Sequence, residues 1–403
     1  MKIKSIRKYT SNKRVFLTAD IESVSLEGTK QVFFSYPEEF HPYVPENADP
    51  FLAAVLIPCM ISREDIEVFP PLSKKLMESQ PVIQDIFTVW FPGKLTMVNV
   101  TAHQLTEEKN ERENRGNASF FSLGVDSMYS MLKHLPENHP HKGEELSSLI
   151  YMKGLELPLS VYSGGQDIAV IDRVKQVAQH YNLELIYGET NIRDIFPINW
   201  EDYYFGPGLA AVALSLSGGF KNIYIPSSYS YAYMFAVPSS PLTDPLWSNE
   251  DTRIIHDGAE KERAEKIADL ITRDSFALNN LRVCVDNEGG DYNCGKCWKC
   301  LRTMVTLDIV DKLKDAGSFP HTLPEGYALK FKAYHYDSMI YAVENLKLAK
   351  KYGKIKTAKL IDREIRLGKL DQFCEGKSKW YIITEIIYYF FYKLLRKIKG
   401  IKY

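Results

Sequence analysis

Four of the six cysteines fall within seventeen consecutive positions: Cys284, Cys294, Cys297 and Cys300 in RVCVDNEGGDYNCGKCWKC, while Cys59 and Cys374 stand alone. In a reducing compartment such clustering marks metal or redox chemistry more often than disulfides. Nine residues separate the first pair and two separate each of the others, so a turn running into a helix can aim the last three thiolates at one point. Cys284 then returns from the preceding strand or loop, and Gly295 allows a tight approach. Four thiolates fill a tetrahedral Zn2+ shell, and a closed shell clamps a loop and leaves no open position for a reacting water. An iron–sulfur cluster fits the same four ligands, and reduced, unligated thiols are the third reading.

A second constellation lies upstream. Ser122-Leu123-Gly124-Val125-Asp126-Ser127 follows the short apolar run ASFF and leads into MYSMLKHL, a pattern that predicts strand, tight turn and helix start. Such a turn collects backbone N–H groups and the positive helix end at one point, which suits a phosphate. Ser122 and Ser127 add hydroxyl donors, and Asp126 either caps the helix or holds Mg2+ against phosphate oxygens. The plain alternative is a strand-to-helix turn with a serine or aspartate cap.

The stretch SLGVDS resembles the SGGxDS motif of the PP-loop (adenine nucleotide alpha-hydrolase) superfamily, with Leu123 in place of the first glycine. A Cβ there opposes the left-handed backbone that glycine adopts freely. Together with the four-cysteine run and the Arg302 that follows it, the segment from Ser119 to Arg302 is similar to 7-cyano-7-deazaguanine synthase and its relatives. The resemblance implies a doubly wound parallel sheet with ATP and Mg2+ at Ser122–Ser127. It implies cleavage between the alpha and beta phosphates, an adenylylated carboxylate or carbonyl acceptor, and attack by ammonia or another nitrogen donor. The acceptor would be a small molecule or a modified base. Sulfur transfer of the tRNA-thiolating kind, and a degenerate nucleotide-binding scaffold, are the alternatives.

Further candidates flank these motifs. Arg193, after a predicted strand, and Arg263 and Lys266 in EKERAEKIADLI are cations able to neutralise charge developing on an alpha phosphate. Lys261, Arg263 and Lys266 begin that helix, and such residues are more often the solvated face of an amphipathic helix. The Tyr-, Pro- and Ser-rich loop after NIYIP carries Asp244, Trp247, Arg253, His256 and Asp257, which as a group suit acceptor binding, though each is also an ordinary loop residue. The small residues of GPGLAAVAL suit close helix packing near a nucleotide or simply within a core.

Alternating apolar runs and amphipathic helices from Ala118 onward predict an α/β fold with ligands at the carboxyl ends of the strands. Before it, RVFLTADIESV, KQVFFSY and KLTMVNVTA alternate like strands, interrupted by the more helical FLAAVLIPCM and LSKKLMESQPVIQDIFTVWF. The expected layout is a β-rich domain over 1–106, a charged linker at Glu107–Arg115, a PP-loop α/β domain over 117–318, and a helical region over 319–403. The 403 residues carry 50 Lys or Arg against 51 Asp or Glu, so no whole-molecule field gathers nucleic acid. With no signal-peptide pattern and no apolar run of spanning length, the expected compartment is the cytoplasm. The last segment, WYIITEIIYYFFYKLLRKIKGIKY, is apolar and then basic. It suits either a buried helix or a peripheral contact with a membrane face or a partner protein.

Overall fold

A computed structural model describes residues 1–107, 115–139, 144–162, 168–284, 292–327 and 336–374. Residues 108–114 of the linker expected at Glu107–Arg115, and the basic apolar tail, fall outside these residues. Contacts divide the chain into two compact units, Met1–Arg282 and Val283–Tyr403.

The first unit opens with an antiparallel meander, β1 (Lys2–Ser11), β2 (Arg14–Ser23) and β3 (Gly28–Pro37). Val15, Leu17, Ala19 and Ile21 alternate along β2 and all point into the core, as a period of two requires. Next come α1 (Asp49–Ser62), β4 (Ile66–Val68), α2 (Lys74–Trp90) and β5 (Val100–Ala102), the last being all that forms a strand in KLTMVNVTA. The α/β portion then runs β6 (Gly116–Phe120), α3 (Val125–Lys133), β7 (Ser148–Lys153), α4 (Ile168–His180) and β8 (Glu184–Thr190). It continues with α5 (Ile192–Ile195), α6 (Phe205–Ser215), β9 (Phe220–Pro226), β10 (Arg253–Asp257), α7 (Arg263–Asp269) and α8 (Ser275–Asn280).

These strands make one ten-stranded sheet in the order β10-β9-β6-β7-β8-β3-β2-β1-β4-β5. The pairs from β10 to β8 are all parallel. The α/β character and the mostly parallel sheet expected from the alternation are therefore present. The sheet crosses the expected boundary near 106–117 without a break, because β3 pairs antiparallel with β8 at Ser35↔Glu189 and Phe34↔Thr190. Asn191 reinforces the junction. Its Oδ1 accepts from the Phe33 N–H at 2.9 Å and its Nδ2 donates to the Gln31 carbonyl at 2.8 Å.

Two helices that are apolar on every side fill the core. In α1 every residue from Asp49 to Met60 is buried, and in α6 only Phe205 and Leu209 are not fully buried, the pattern of a helix enclosed by protein. Small residues are needed where α6 begins, since a Cβ on Gly206 would lie 2.0 Å from the Pro238 carbonyl oxygen. GPGLAAVAL thus serves close packing, and that packing seats the loop around Pro238.

Asp49 is the exception in this apolar setting. It accepts hydrogen bonds from Ser73 N–H and Asn249 Nδ2, each at 2.8 Å. Burial still dominates and pushes its carboxyl up to about 6. The folded chain therefore keeps a proton that the unfolded chain releases near the ordinary carboxylate value, so this group's contribution is present at low pH and lost as pH rises toward 6. The stability gap between wild type and Asp49→Ala is expected to narrow by about 2–3 kcal/mol from pH 4 to pH 7. Urea midpoints at both pH values measure it, and a gap that stays constant would contradict the assignment.

In the second unit α9 (Trp298–Ile309) starts directly after Cys297, followed by α10 (Tyr336–Lys351) and α11 (Ile355–Cys374). Thr306 Oγ1 donates to Asn345 Oδ1 at 2.8 Å, tying α9 to α10. The Arg302 guanidinium lies 3.7 Å from the Tyr341 ring centroid and 4.5 Å from that of Trp298. Among the described residues, no helix is long and apolar enough to cross a membrane.

Candidate nucleotide site and cysteine cluster

In the parallel part of the sheet β6 is central. The chain moves outward through β7 and β8 on one side, then returns to place β9 and β10 on the other. Crevices at such a reversal, outside the carboxyl ends of the strands, are where open α/β sheets bind ligands. The loop from Phe121 to Gly124 leaves β6 at this position.

Leu123 adopts a φ of +63°, the left-handed conformation that the sequence argued against. Its side chain is completely buried and its carbonyl accepts from the Arg282 N–H at 3.0 Å. A left-handed residue with a Cβ costs about 1–2 kcal/mol, whereas burying a leucine contributes about 2–5 kcal/mol by the loss seen on truncation. Burial wins, and the turn keeps its shape without the glycine. Leu123→Gly is accordingly expected to destabilise the chain by about 1–3 kcal/mol despite relieving the backbone, read from urea denaturation; a stabilised variant would show the leucine to be a liability.

Gly124 is the N-cap of α3 and offers no side-chain cap. Ser127 closes the turn instead: its Oγ accepts from Ser122 N–H at 3.2 Å and donates to the Gly124 carbonyl at 3.1 Å. Val125 is buried beside them. Asp126 is no cap. Its carboxylate pairs with the Arg263 guanidinium and, at 3.2 Å, with Lys266 Nζ. Both cations come from α7 and are nearly buried, at 8% and 1% exposure, so the reading of them as a solvated helix face is corrected. Among the described residues Arg263 Nε has no hydrogen-bond partner. Lys266 Nζ also donates to the Ser227 carbonyl at the end of β9. Two positive charges thus meet the Asp126 carboxylate where α3 begins. Lys261, by contrast, pairs with Asp269 at 2.8 Å toward the surface.

Arg193 is not brought to this point. It donates to the Leu155 and Glu156 carbonyls and lies 5.0 Å from the Trp200 ring centroid, while the adjacent Asp194 accepts from the Leu159 and Ser160 N–H groups. Together they fasten the loop after β7.

The five acceptor-binding candidates separate. Arg253, His256 and Asp257 lie on strand β10, not in an irregular loop. Arg253 is exposed at the amino end of that strand, away from the carboxyl edge. Trp247 is fully buried and so packs within the core. Asp257 accepts from Ser130 Oγ at 2.6 Å, Lys133 Nζ at 2.8 Å and His134 Nε2 at 3.1 Å, which binds α3 to the sheet. Burial opposes its ionisation, but His134 and Lys133 outweigh burial and hold the carboxyl far below the usual range. Asp244 and His256 are the pair that remains near open space. Asp244 Oδ2 accepts from His256 Nδ1 and from Ser239 Oγ, each at 2.7 Å.

His256 lines a cleft at the carboxyl ends of β9 and β10 together with Phe205, Ser227, Tyr229, Tyr233 and Phe235. The sequence points to this Tyr-, Pro- and Ser-rich loop as a pocket wall but not to Tyr229, Tyr233 and Phe235 individually. Their signal was the run SSYSYAYMF immediately after a strand, where a pocket wall is expected.

In the second unit the four cysteine sulfurs lie within 4.8 Å of one another, and Cys294 Sγ is 4.0 Å from Cys300 Sγ. A tetrahedral Zn–S shell has sulfurs about 3.8 Å apart, from its bond length of about 2.3 Å, so the cluster is metal-sized. Cys294 Sγ accepts from the Lys296 and Cys297 N–H groups at 3.4 and 3.3 Å, and Cys297 Sγ accepts from the Cys300 N–H at 3.4 Å. At Cys294 burial outweighs these donors and raises the thiol, so the donors only partly offset the cost of a thiolate there. Gly295 has a φ of +68°, and a Cβ there would meet Pro320 Cγ at 2.5 Å. The donor set fits a metal ion such as zinc. Comparisons of this chain with protein-family models, with curated proteins and with solved structures found no match.

Proposed function

We propose that this chain is an ATP-using enzyme of the PP-loop type. It would transfer the adenylyl group of ATP to a carboxylate or carbonyl oxygen with release of pyrophosphate, and a nitrogen nucleophile would then displace AMP. The observation that carries this reading is the convergence of buried Arg263 and Lys266 on Asp126 at the first turn of α3, at the reversal point of the sheet. Nearly buried cations kept beside a helix N-terminus have a use if a polyphosphate lies there.

In this reading the first-turn N–H groups of α3 and the Ser122 hydroxyl bind phosphate oxygens. Arg263 and Lys266 turn from Asp126 to the alpha phosphate, where negative charge grows as pyrophosphate leaves. Asp126 would hold Mg2+, which supplies charge neutralisation on the phosphates. Positioning and electrostatics then carry the catalysis, with no covalent protein intermediate. Zinc on the four cysteines would be structural.

A sulfur-transfer reading draws less support. It needs a reactive thiol, and Cys59 is fully buried with burial pushing its thiol up to about 12. The other cysteines whose side chains are described form the metal cluster.

The direct test is chromatographic detection of AMP and pyrophosphate from ATP and Mg2+ with the purified full chain. Asp126→Asn is expected to lower AMP formation by about 100-fold or more. Exclusive release of ADP and phosphate would sink the reading.

A further inference from the structure

His256 combines three features found together nowhere else among the described residues of the first unit. Its side chain is only 6% exposed, it lines the aromatic cleft, and one ring nitrogen is held by a completely buried carboxylate. Asp244 fixes the ring by accepting from Nδ1, and its remaining contacts, from Ser239 Oγ and the Ser240 N–H, prevent it from swinging away. A proton held on Nδ1 leaves Nε2 with its lone pair, and among the described residues no group bonds to Nε2. A carboxylate behind the opposite nitrogen is the arrangement that makes an imidazole a proton acceptor.

Two bonded links join this ring to the proposed nucleotide site. Asp257, the residue after His256, accepts through its carbonyl from the Ser227 N–H at 2.7 Å. The Ser227 carbonyl in turn receives Lys266 Nζ, which pairs with Asp126. Ser227 itself lines the cleft. The cleft and the phosphate-facing cations therefore share one residue as a common wall.

We infer that His256 Nε2 takes the proton from the nucleophile that enters the aromatic cleft, with Asp244 as the positioning residue. This inference rests on the adenylyl-transfer reading and changes its acceptor. Neither a carboxylate nor a carbonyl oxygen gives up a proton on attacking the alpha phosphate, so a built-in base implies a protic acceptor, an O–H or an N–H, in their place. In the simplest case, water as the probe, the oxygen–phosphorus bond to the alpha phosphate forms and the bond to the bridging oxygen of pyrophosphate breaks. Pyrophosphate carries away that electron pair, and the proton of the attacking water passes to Nε2. Tyr229, Tyr233 and Phe235 line the cleft that Nε2 faces, which gives the proton an acceptor beside the nucleophile.

The experiment follows AMP formation from ATP and Mg2+ by the full chain, with water as nucleophile, in wild type, His256→Ala, His256→Gln and Asp244→Asn. His256→Ala is expected to lose about 100-fold or more in kcat, as removal of a general base does, with KM for ATP changed by less than about twofold. Added imidazole should restore at least about tenfold of that loss in His256→Ala but not in His256→Gln, where the glutamine fills the space. Asp244→Asn should lower kcat without altering KM for ATP. A ring that merely supported the loop would give no imidazole-dependent recovery of kcat. A wild type that forms AMP while His256→Ala keeps pace with it, or is not rescued, overturns the inference alone. A wild type that forms no AMP overturns the adenylyl-transfer reading and this step with it.

Discussion

Replacing Lys266 by methionine is expected to reduce AMP formation from ATP by about 100- to 1,000-fold while leaving the melting temperature nearly unchanged. The first number follows from removing a preorganised charge aimed at developing negative charge, which is worth about 3–4 kcal/mol of barrier. The second follows from the surroundings. Lys266 is almost completely buried, and exchanging a buried cation for an apolar side chain of similar length costs little when its partner stays compensated. Asp126 keeps Arg263 in the variant. What the methionine cannot replace is the bond to the Ser227 carbonyl, a loss of about 1–3 kcal/mol partly offset by the removed desolvation penalty. Arg263→Met should behave similarly, and the double variant should unfold more readily because Asp126 is then left without either cation. Calorimetric unfolding beside an AMP assay separates the two effects. Full activity in Lys266→Met would remove α7 from the chemistry.

Local features of this chain were legible in the sequence. The cysteine spacing needs only a turn and the start of α9 to gather the last three sulfurs, and both lie within the run itself, while Cys284 reaches them from the segment before. The turn after β6 and the start of α3 were likewise readable, because a small-residue turn between an apolar run and a helical run is a local signal. Long-range pairings were not. Nothing in KQVFFSY announces that Ser35 and Phe34 will pair with Glu189 and Thr190, so the first three strands read as a separate domain although they extend the same sheet. Strand β10 was hidden for another reason. RIIHD is five residues long and follows a proline- and serine-rich stretch, so the period-two signal has too few positions to stand out.

The acceptor candidates show the same division. Asp257 looked free because its three side-chain partners lie on a helix more than 120 positions earlier in the chain. Trp247 looked like a pocket residue because a tryptophan beside prolines gives no hint that its ring is enclosed. Leu123 is the instructive case. Backbone propensity correctly identified the conformation as costly for leucine, yet the turn adopts it because the same side chain fills the core. Propensity is a local quantity and burial is not, and here the non-local term is the greater.

Removing the metal from the second unit should have the other large effect. Purified chain is expected to carry about one zinc, and Cys300→Ser is expected to lose it and to lower the melting temperature of that unit by about 10 °C or more. A ligand lost from a structural zinc site sacrifices several of the roughly 10–16 kcal/mol such a site contributes, and about 1 kcal/mol moves a domain of this size by roughly 4 °C or more. The particular choice of Cys300 matters. It is fully buried on the first turn of α9, so a serine hydroxyl there loses the metal and gains no water. In the absence of a metal its thiol is held up by the neighbouring Cys297 sulfur and by burial, so a bound cation would favour the thiolate there. Chelation of the wild type with EDTA should reproduce the loss of stability, and returning zinc should reverse it in the wild type but not in the variant. Elemental analysis showing iron, with a brown protein, would replace zinc by an iron–sulfur cluster on the same ligands. A metal-free chain that melts normally would instead show that the remaining contacts around α9, from Thr306 to Asn345 and from Arg302 to Tyr341, suffice without an ion.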